Sequence, residues 1–296
     1  MTLRSRGTDV HAESPFASLY RRARTDLLSV PVTDREVETT DGSTHLLTAG
    51  DPDASPLLLL QGANVTNPVT LSWVQSLSDE YYLVAPDTPG EPAELETEAP
   101  ADFGRWVASL LDGLGLERVP AVGISHGGGV LLEAAATIPE RVSAAGFVVP
   151  AGFGVSPSAA LARVVGLSLA YRLVPRERLL EAALAPLFTT PVADLPPVVR
   201  ETVALALRTA DVKTGFPGPD RAEALAEFDA PTLLVGGERD PFFPAGWLHE
   251  QSVPYLPEGT ERAYSSSRRR STSARSTSSR TADERAEGWY TIQHSF

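Results

Sequence analysis

The chain has 296 residues, 42% of them hydrophobic, and a formal net charge of -13. That length suits one large α/β domain with a sizeable core, and the acidic balance argues against a nucleic-acid partner. Cysteine is absent, which excludes disulfides, thiol catalysis and a cysteine-ligated metal.

Met1 to Val10 is charged and polar with no apolar run behind it, so no signal peptide is expected. No stretch reaches the ~18 apolar residues of a membrane span, and the expected location is cytoplasmic with no membrane partner. Lys213 is the one lysine, a bias that suits GC-rich coding DNA and an acidic, salt-adapted surface.

Residues 1–14 read as a flexible N-terminus ahead of a domain spanning 15–264. From Pro15 to Leu28, Phe16, Leu19, Tyr20, Ala23 and Leu27 recur at helical spacing. Arg35 to Thr39 and Thr44 to Thr48 read as antiparallel strands joined by Asp41-Gly42. Leu57 to Leu60 is continuously apolar, as a strand covered on both faces should be. A helix over Asn67–Leu77 and a strand over Tyr81–Ala85 follow. Between Ala101 and Leu116, Phe103, Trp106, Val107, Leu110, Leu111 and Leu114 share one helical face, which Gly115 ends. Strands at Ala121–Ile124 and Val142–Val149 flank a helix reaching about Ile138. This alternation predicts a mostly parallel sheet with right-handed crossovers.

The rhythm breaks over residues 152–227, where Leu161–Leu173, Arg178–Leu187 and Val198–Leu207 are helical and separated by proline-containing joints. More than ~15 residues is already long for a single connection, so this segment reads as a helical insertion. The strand pattern returns at Thr232–Gly236.

The densest chemistry lies in Pro120-Ala121-Val122-Gly123-Ile124-Ser125-His126-Gly127-Gly128-Gly129. Ser125 stands where a β-branched run gives way to a helix, with Gly123 and Gly127 two residues to either side. A serine on so sharp a turn needs neighbours without a Cβ, and the helix N-terminus aims amides at the point where negative charge develops.

Placed between strand and helix, Gly123-Ile124-Ser125-His126-Gly127 resembles the nucleophile elbow of the α/β-hydrolase family. Pro56 to Ala63 resembles the family's third strand and oxyanion turn, Tyr82 to Gly90 its fourth strand, and Pro231 to Asp240 the late strand that delivers an acid. The likeness spans about residues 35–264. It implies an α/β-hydrolase fold, a mostly parallel sheet with helices on both faces and a helical lid over about 152–227. It also implies a carboxylesterase-like serine hydrolase that cleaves an ester, amide or related small molecule through an acyl-enzyme, with no metal or organic cofactor. On this resemblance Ser125 is the nucleophile and the backbone N–H groups of Ala63 and His126 form the oxyanion hole. Asp240 is the acid, with Glu238 a weaker candidate, and Pro150 to Gly154 offers no rival carboxylate. Family branches that open epoxides or remove halogens carry Asp at the nucleophile position, and Ser125 speaks against them. Gln61 departs from the family, which usually has His before the glycine of this turn.

A second departure concerns the base. The family's histidine falls roughly 25–30 residues beyond the acid, which here means Ser265-Ser266-Ser267-Arg268-Arg269-Arg270, where there is none. His126 neighbours the nucleophile on the elbow and should point away from its hydroxyl. His249 sits in an apparent helix, His45 in the second strand, His11 in the N-terminal segment and His294 beyond a low-complexity run. Residues 265–280 hold eight Ser, five Arg, two Thr and one Ala, a composition unable to bury a core. Residues 265–296 therefore read as a disordered tail, of the kind GC-rich coding DNA yields in a shifted frame. A basic Ser/Arg tail could also make contacts of its own. The alternative to an enzyme is a non-catalytic hydrolase-like protein that binds a ligand or partner.

Overall fold

The computed structural model describes residues 14–188, 190–209, 216–218 and 222–265. Helix α1 (Ala17–Leu27) turns Leu19, Tyr20 and Ala23 inward. Strands β1 (Val32–Thr39) and β2 (Gly42–Ala49) form an antiparallel hairpin, with Gly42 at φ 105° after the turn, a conformation glycine adopts without a Cβ penalty. Then come β3 (Pro56–Leu60), α2 (Asn67–Val74), β4 (Tyr82–Pro86) and α3 (Phe103–Leu114). The helix expected to run to Leu77 tightens at Gln75 into a 3-10 turn, Gln75–Asp79. There the Gln75 side chain donates to the carbonyls of Leu27 and Ser72 and accepts from Ser29, tying this corner to the end of α1. Helix α3 stops at Gly115 as expected, left-handed at φ 71°, and starts at Asp102, whose side chain accepts from the Arg105 amide.

Strand β5 (Val119–Ile124), helix α4 (His126–Thr137) and strand β6 (Val142–Val148) complete the centre. The insertion holds α5 (Ala159–Leu173), α6 (Glu177–Leu184) and α7 (Pro197–Thr209), with no strand among its described residues. The chain returns through β7 (Thr232–Gly237), α8 (Ala245–Ser252) and β8 (Glu261–Ser265). The eight strands lie in the order β1-β2-β4-β3-β5-β6-β7-β8. Strand β2 is antiparallel to both neighbours, and every pair from β4 to β8 is parallel.

The four leucines of β3 show how the sheet is covered. Leu58 and Leu60 join a core with Trp106 and Leu110 of α3 and Leu131 of α4, while Leu57 and Leu59 join another with Leu71 and Val74 of α2. Successive strand side chains point to opposite faces, so an unbroken leucine run is what helices on both faces require. A third cluster joins Leu19 and Ala23 of α1 and Val69 of α2 to Leu180, Leu184, Val199 and Val203 of the insertion. Arg22 of α1 also pairs with Glu201 of α7 at 2.6 Å.

Buried polar groups link the hairpin to this layer. His45 of β2 is 8% exposed; its Nδ1 lies 3.0 Å from Asp87 and its Nε2 3.2 Å from Asp34. Tyr20 donates to the other Asp87 oxygen at 2.9 Å, the Glu94 amide donates to Asp87, and Arg24 engages Asp34. Burial alone would depress the His45 pKa, but its bonds and charge interactions with Asp87 and Asp34 outweigh that and raise it. With the folded pKa above the unfolded value of about 6.5, the stabilisation is complete below about pH 6.5 and fades as pH rises through the raised value. His45→Gln should cost about 2 kcal/mol at pH 6, and the gap between it and the parent chain should narrow toward pH 9 in urea-unfolding midpoints. A gap that stays constant with pH would show that His45 is not protonated in the folded protein.

Candidate active site at the carboxyl edge of the sheet

Strand β5 ends at Ile124, and Ser125 takes φ 52°, ψ -112°, a conformation costly for any residue with a Cβ. Its neighbours hold it there. The Ser125 amide donates to the Val148 carbonyl, and the Ser125 carbonyl accepts from Ala151 and Gly128, each at 2.9 Å. Glycine allows the approach. A Cβ on Gly123 would lie 2.7 Å from the Gly128 Cα, one on Gly127 2.7 Å from the Gln61 carbonyl oxygen, and one on Gly128 2.7 Å from the Pro150 Cα. A Cβ on Gly129 would overlap the Pro217 carbonyl. Successive glycines of α4 thus receive the end of β3, the end of β6 and the returning end of the helical insertion. Ser125 itself stays partly exposed while residues 121–124 and 126–132 are buried.

The turn after β3 lies beside the elbow, since β3 pairs with β5 through Leu60 and Gly123. In that turn the Gly62 amide donates to Thr70 Oγ1 and the Asn64 amide to Glu91 Oε2 at 2.8 Å. Asn64 is left-handed at φ 62°. Among the described residues, neither the Ala63 N–H nor the His126 N–H has a protein acceptor. Ala63 lies on the turn after β3, and His126 is the first residue of α4.

Gln61, fully buried, braces this turn. Its Nε2 donates to the carbonyls of Val65 (3.1 Å) and Pro92 (3.2 Å), and its Oε1 accepts the Thr88 amide (3.1 Å). The β3 turn and the loop after β4 are joined through one neutral side chain.

Asp240 follows β7 on the same edge. Its Oδ1 accepts the amides of Phe242 (2.8 Å) and Phe243 (2.7 Å). Burial raises its pKa, and the two amides offset this only in part. Glu238 is exposed and offers a less defined carboxylate. Strand β6 separates β5 from β7, so the strands that deliver Ser125 and Asp240 lie two spacings apart, about 10 Å.

Imidazole is scarcer. His45 lies in β2, three strand positions from β5, and is committed to its two aspartates. His249 is exposed on α8. The His126 side chain faces Glu91, with Nε2 3.5 Å from Oε1, and sits edge-on to Phe103 at 5.6 Å. Its Nδ1 is buried without a partner. Burial lowers the His126 pKa to about 4. Burial likewise raises Glu91 to about 7, the Asn64 amide opposing it. His126 is thus neutral near pH 7, and the 3.5 Å approach is a contact of a neutral ring with the carboxyl group rather than an ion pair. His11, His294 and positions 266–270 lie outside the described residues. Among the described residues no group of three or more His, Asp and Glu could hold a metal ion, and no helix is long and apolar enough to cross a membrane.

Gln61 and Glu91 gave little sign of themselves in the sequence. Glu91 follows the Pro89-Gly90 turn as one acidic residue among several, and only the fold brings it against Asn64 and His126.

This edge, with a serine in a strained strand-to-helix turn above a parallel sheet, is that of an α/β hydrolase. Residues 57–273 match the alpha/beta hydrolase family, and the chain belongs to it. The carboxylesterase YbfK of Bacillus subtilis (strain 168) is 32% identical over 121 residues, 39% of this chain and 40% of that protein. The uncharacterized carboxylesterase nap of the same organism is 30% identical over 119 residues, again 39% and 40%. These alignments span less than half the length of either relative. Over longer spans the fold is shared. The crystal structure of carboxylesterase CesB (YbfK) from Bacillus subtilis has a TM-score of 0.69 at 21% identity, covering 85% of this chain and 89% of that one. Naproxen esterase (carboxylesterase NP) from Bacillus subtilis gives 0.69 at 23%, with the same coverage.

The close approach at the elbow is open to test. Gly127→Ala forces a Cβ against the Leu60 and Gln61 carbonyls and should cost about 3 kcal/mol, lowering the melting temperature by roughly 6–12 °C for a domain of this size. Gly246→Ala, where the added Cβ meets nothing within 4 Å, should shift it by no more than about 2 °C. Equal shifts would show that the contact at Gly127 relaxes without cost.

Proposed function

We propose that the chain is a carboxylesterase-like serine hydrolase that forms an acyl-enzyme on Ser125 with a small ester, amide or related substrate. The observation that carries this reading is the strained backbone of Ser125, φ 52° and ψ -112°, followed at once by His126 and flanked by the β3 turn of Ala63, whose amides have no protein acceptor among the described residues. Strain of that kind persists where the surroundings over-determine it, and it clusters at reacting residues. The names of the two Bacillus relatives support the esterase class.

In this mechanism the Ser125 Oγ attacks the substrate carbonyl while the N–H groups of Ala63 and His126 receive the developing oxyanion. Collapse of the tetrahedral intermediate expels the alcohol or amine, and water then releases the acid. Asp240, its Oδ1 fixed by two amides, has the second carboxylate oxygen for orienting a base. Helices α5–α7 form the lid that bounds the substrate pocket. The sequence supplies no histidine at 265–270, so we assign the chain an intact nucleophile and oxyanion hole with an impaired proton-transfer step. A shifted reading frame after about codon 264 accounts for this, and another frame should encode a histidine followed by an amphipathic helix. The non-catalytic alternative draws its support from the same missing imidazole.

Added imidazole separates the two readings. With p-nitrophenyl acetate, the chain should show an imidazole-stimulated release of p-nitrophenol that Ser125→Ala lowers by at least about 100-fold after subtraction of the solution reaction. Asp240→Asn should lower it less than about tenfold, because an orienting carboxylate contributes little without the ring it orients. Identical traces for Ser125→Ala and the parent would leave ligand binding as the function.

A further inference from the structure

We propose that Glu91 is a positioning residue that clamps the two halves of the oxyanion hole together. The inference rests on the serine-hydrolase reading above and adds a component to it. One oxygen of Glu91, Oε2, accepts the Asn64 amide at 2.8 Å, and Asn64 directly follows Ala63, the donor on the β3 turn. The other, Oε1, lies 3.5 Å from His126 Nε2, and His126 carries the donor at the start of α4. A single carboxylate thus touches the residue next to one donor and the side chain of the other. The loop that bears it is itself held to the β3 turn by Gln61, through the Thr88 amide and the Pro92 carbonyl.

The tautomer follows from burial. His126 Nδ1 is buried with no partner, and an unpaired lone pair is less costly there than an unpaired N–H. The ring proton therefore sits on Nε2, the nitrogen facing Glu91, so an ionised carboxylate presents an acceptor to the Asn64 amide and to the ring at once. A protonated Glu91 cannot, because one of its oxygens carries a hydrogen that must face a donor or turn away. Burial places that change near pH 7, so the hole should be better formed above neutrality than below it. His126 of α4 is the ionisable group facing Glu91 from another element. On its own loop, Asp87 is engaged by Tyr20 and His45, and Glu94 by Arg21. Behind them, Asp34 and Arg24 complete the His45 cluster.

The experiment follows the backbone amide resonances of Ala63, Asn64 and His126 in 15N-labelled full-length protein from pH 5.5 to 8.5, for the parent and Glu91→Gln. It also measures imidazole-assisted acylation by p-nitrophenyl acetate across the same range. The expected result is a common midpoint near pH 7 for all three amides in the parent that is absent in Glu91→Gln. Any drift inherited from His45 should persist in both. Acylation in Glu91→Gln should fall about tenfold at pH 8, with KM changed less than about twofold and the inflection near pH 7 lost. Amides that titrate alike in both proteins overturn the clamp, whatever the kinetics. Amides that titrate as expected in a protein without Ser125-dependent acylation uphold the clamp and remove the hydrolase reading instead.

Discussion

Everything at the active edge depends on three backbone segments passing closer to α4 than side chains permit. The end of β3 meets Gly127, Pro150 after β6 meets Gly128, and Pro217 at the end of the helical insertion meets Gly129. Because these contacts are backbone to backbone, they cannot be relaxed by repacking a rotamer. They fix the position of Ser125 relative to the β3 turn and the β6 exit simultaneously. The strain at Ser125 is sustained by that confinement, with the Val148, Ala151 and Gly128 hydrogen bonds closing it on either side.

The same constraint explains why neutral and ionisable side chains divide the work around the site. Gln61 braces the β3 turn with three bonds of fixed polarity that do not change with pH. Glu91 and His126, a few residues away in space, carry pKa values displaced by burial toward opposite sides of their ordinary values. Farther out, the His45 cluster uses charge to join α1, the hairpin and the loop after β4.

Much of this was legible in the chain. Alternating strands and helices, the unbroken Leu57–Leu60 run and the Gly115 stop follow from periodicity and glycine chemistry, and the structure has all three. The serine turn was legible because steric demands at such a bend leave glycines at fixed distances. The braces were not. Gln61 stands where the related pattern has histidine, and its three partners come from segments up to 31 residues away. Glu91 and Asn64 are separated by 27 residues and meet only after β3 and β4 pair. Long-range polar contacts between loops leave no periodic trace, since each partner satisfies a local turn equally well elsewhere.

The distribution of the core shows how firmly each part of the candidate site is tied to the fold. Strand β8 pairs with β7 up to Ser265 against Gly237, and Ala263 is its contribution to the apolar clusters of the described residues. Ala63, Ser125, His126 and Asp240 each adjoin a packed strand or helix, so a change that displaced any of them would disturb burial and hydrogen bonding together. The glycine-bound elbow, closed by backbone contacts on three sides, is therefore the part of the candidate site that the fold holds most tightly.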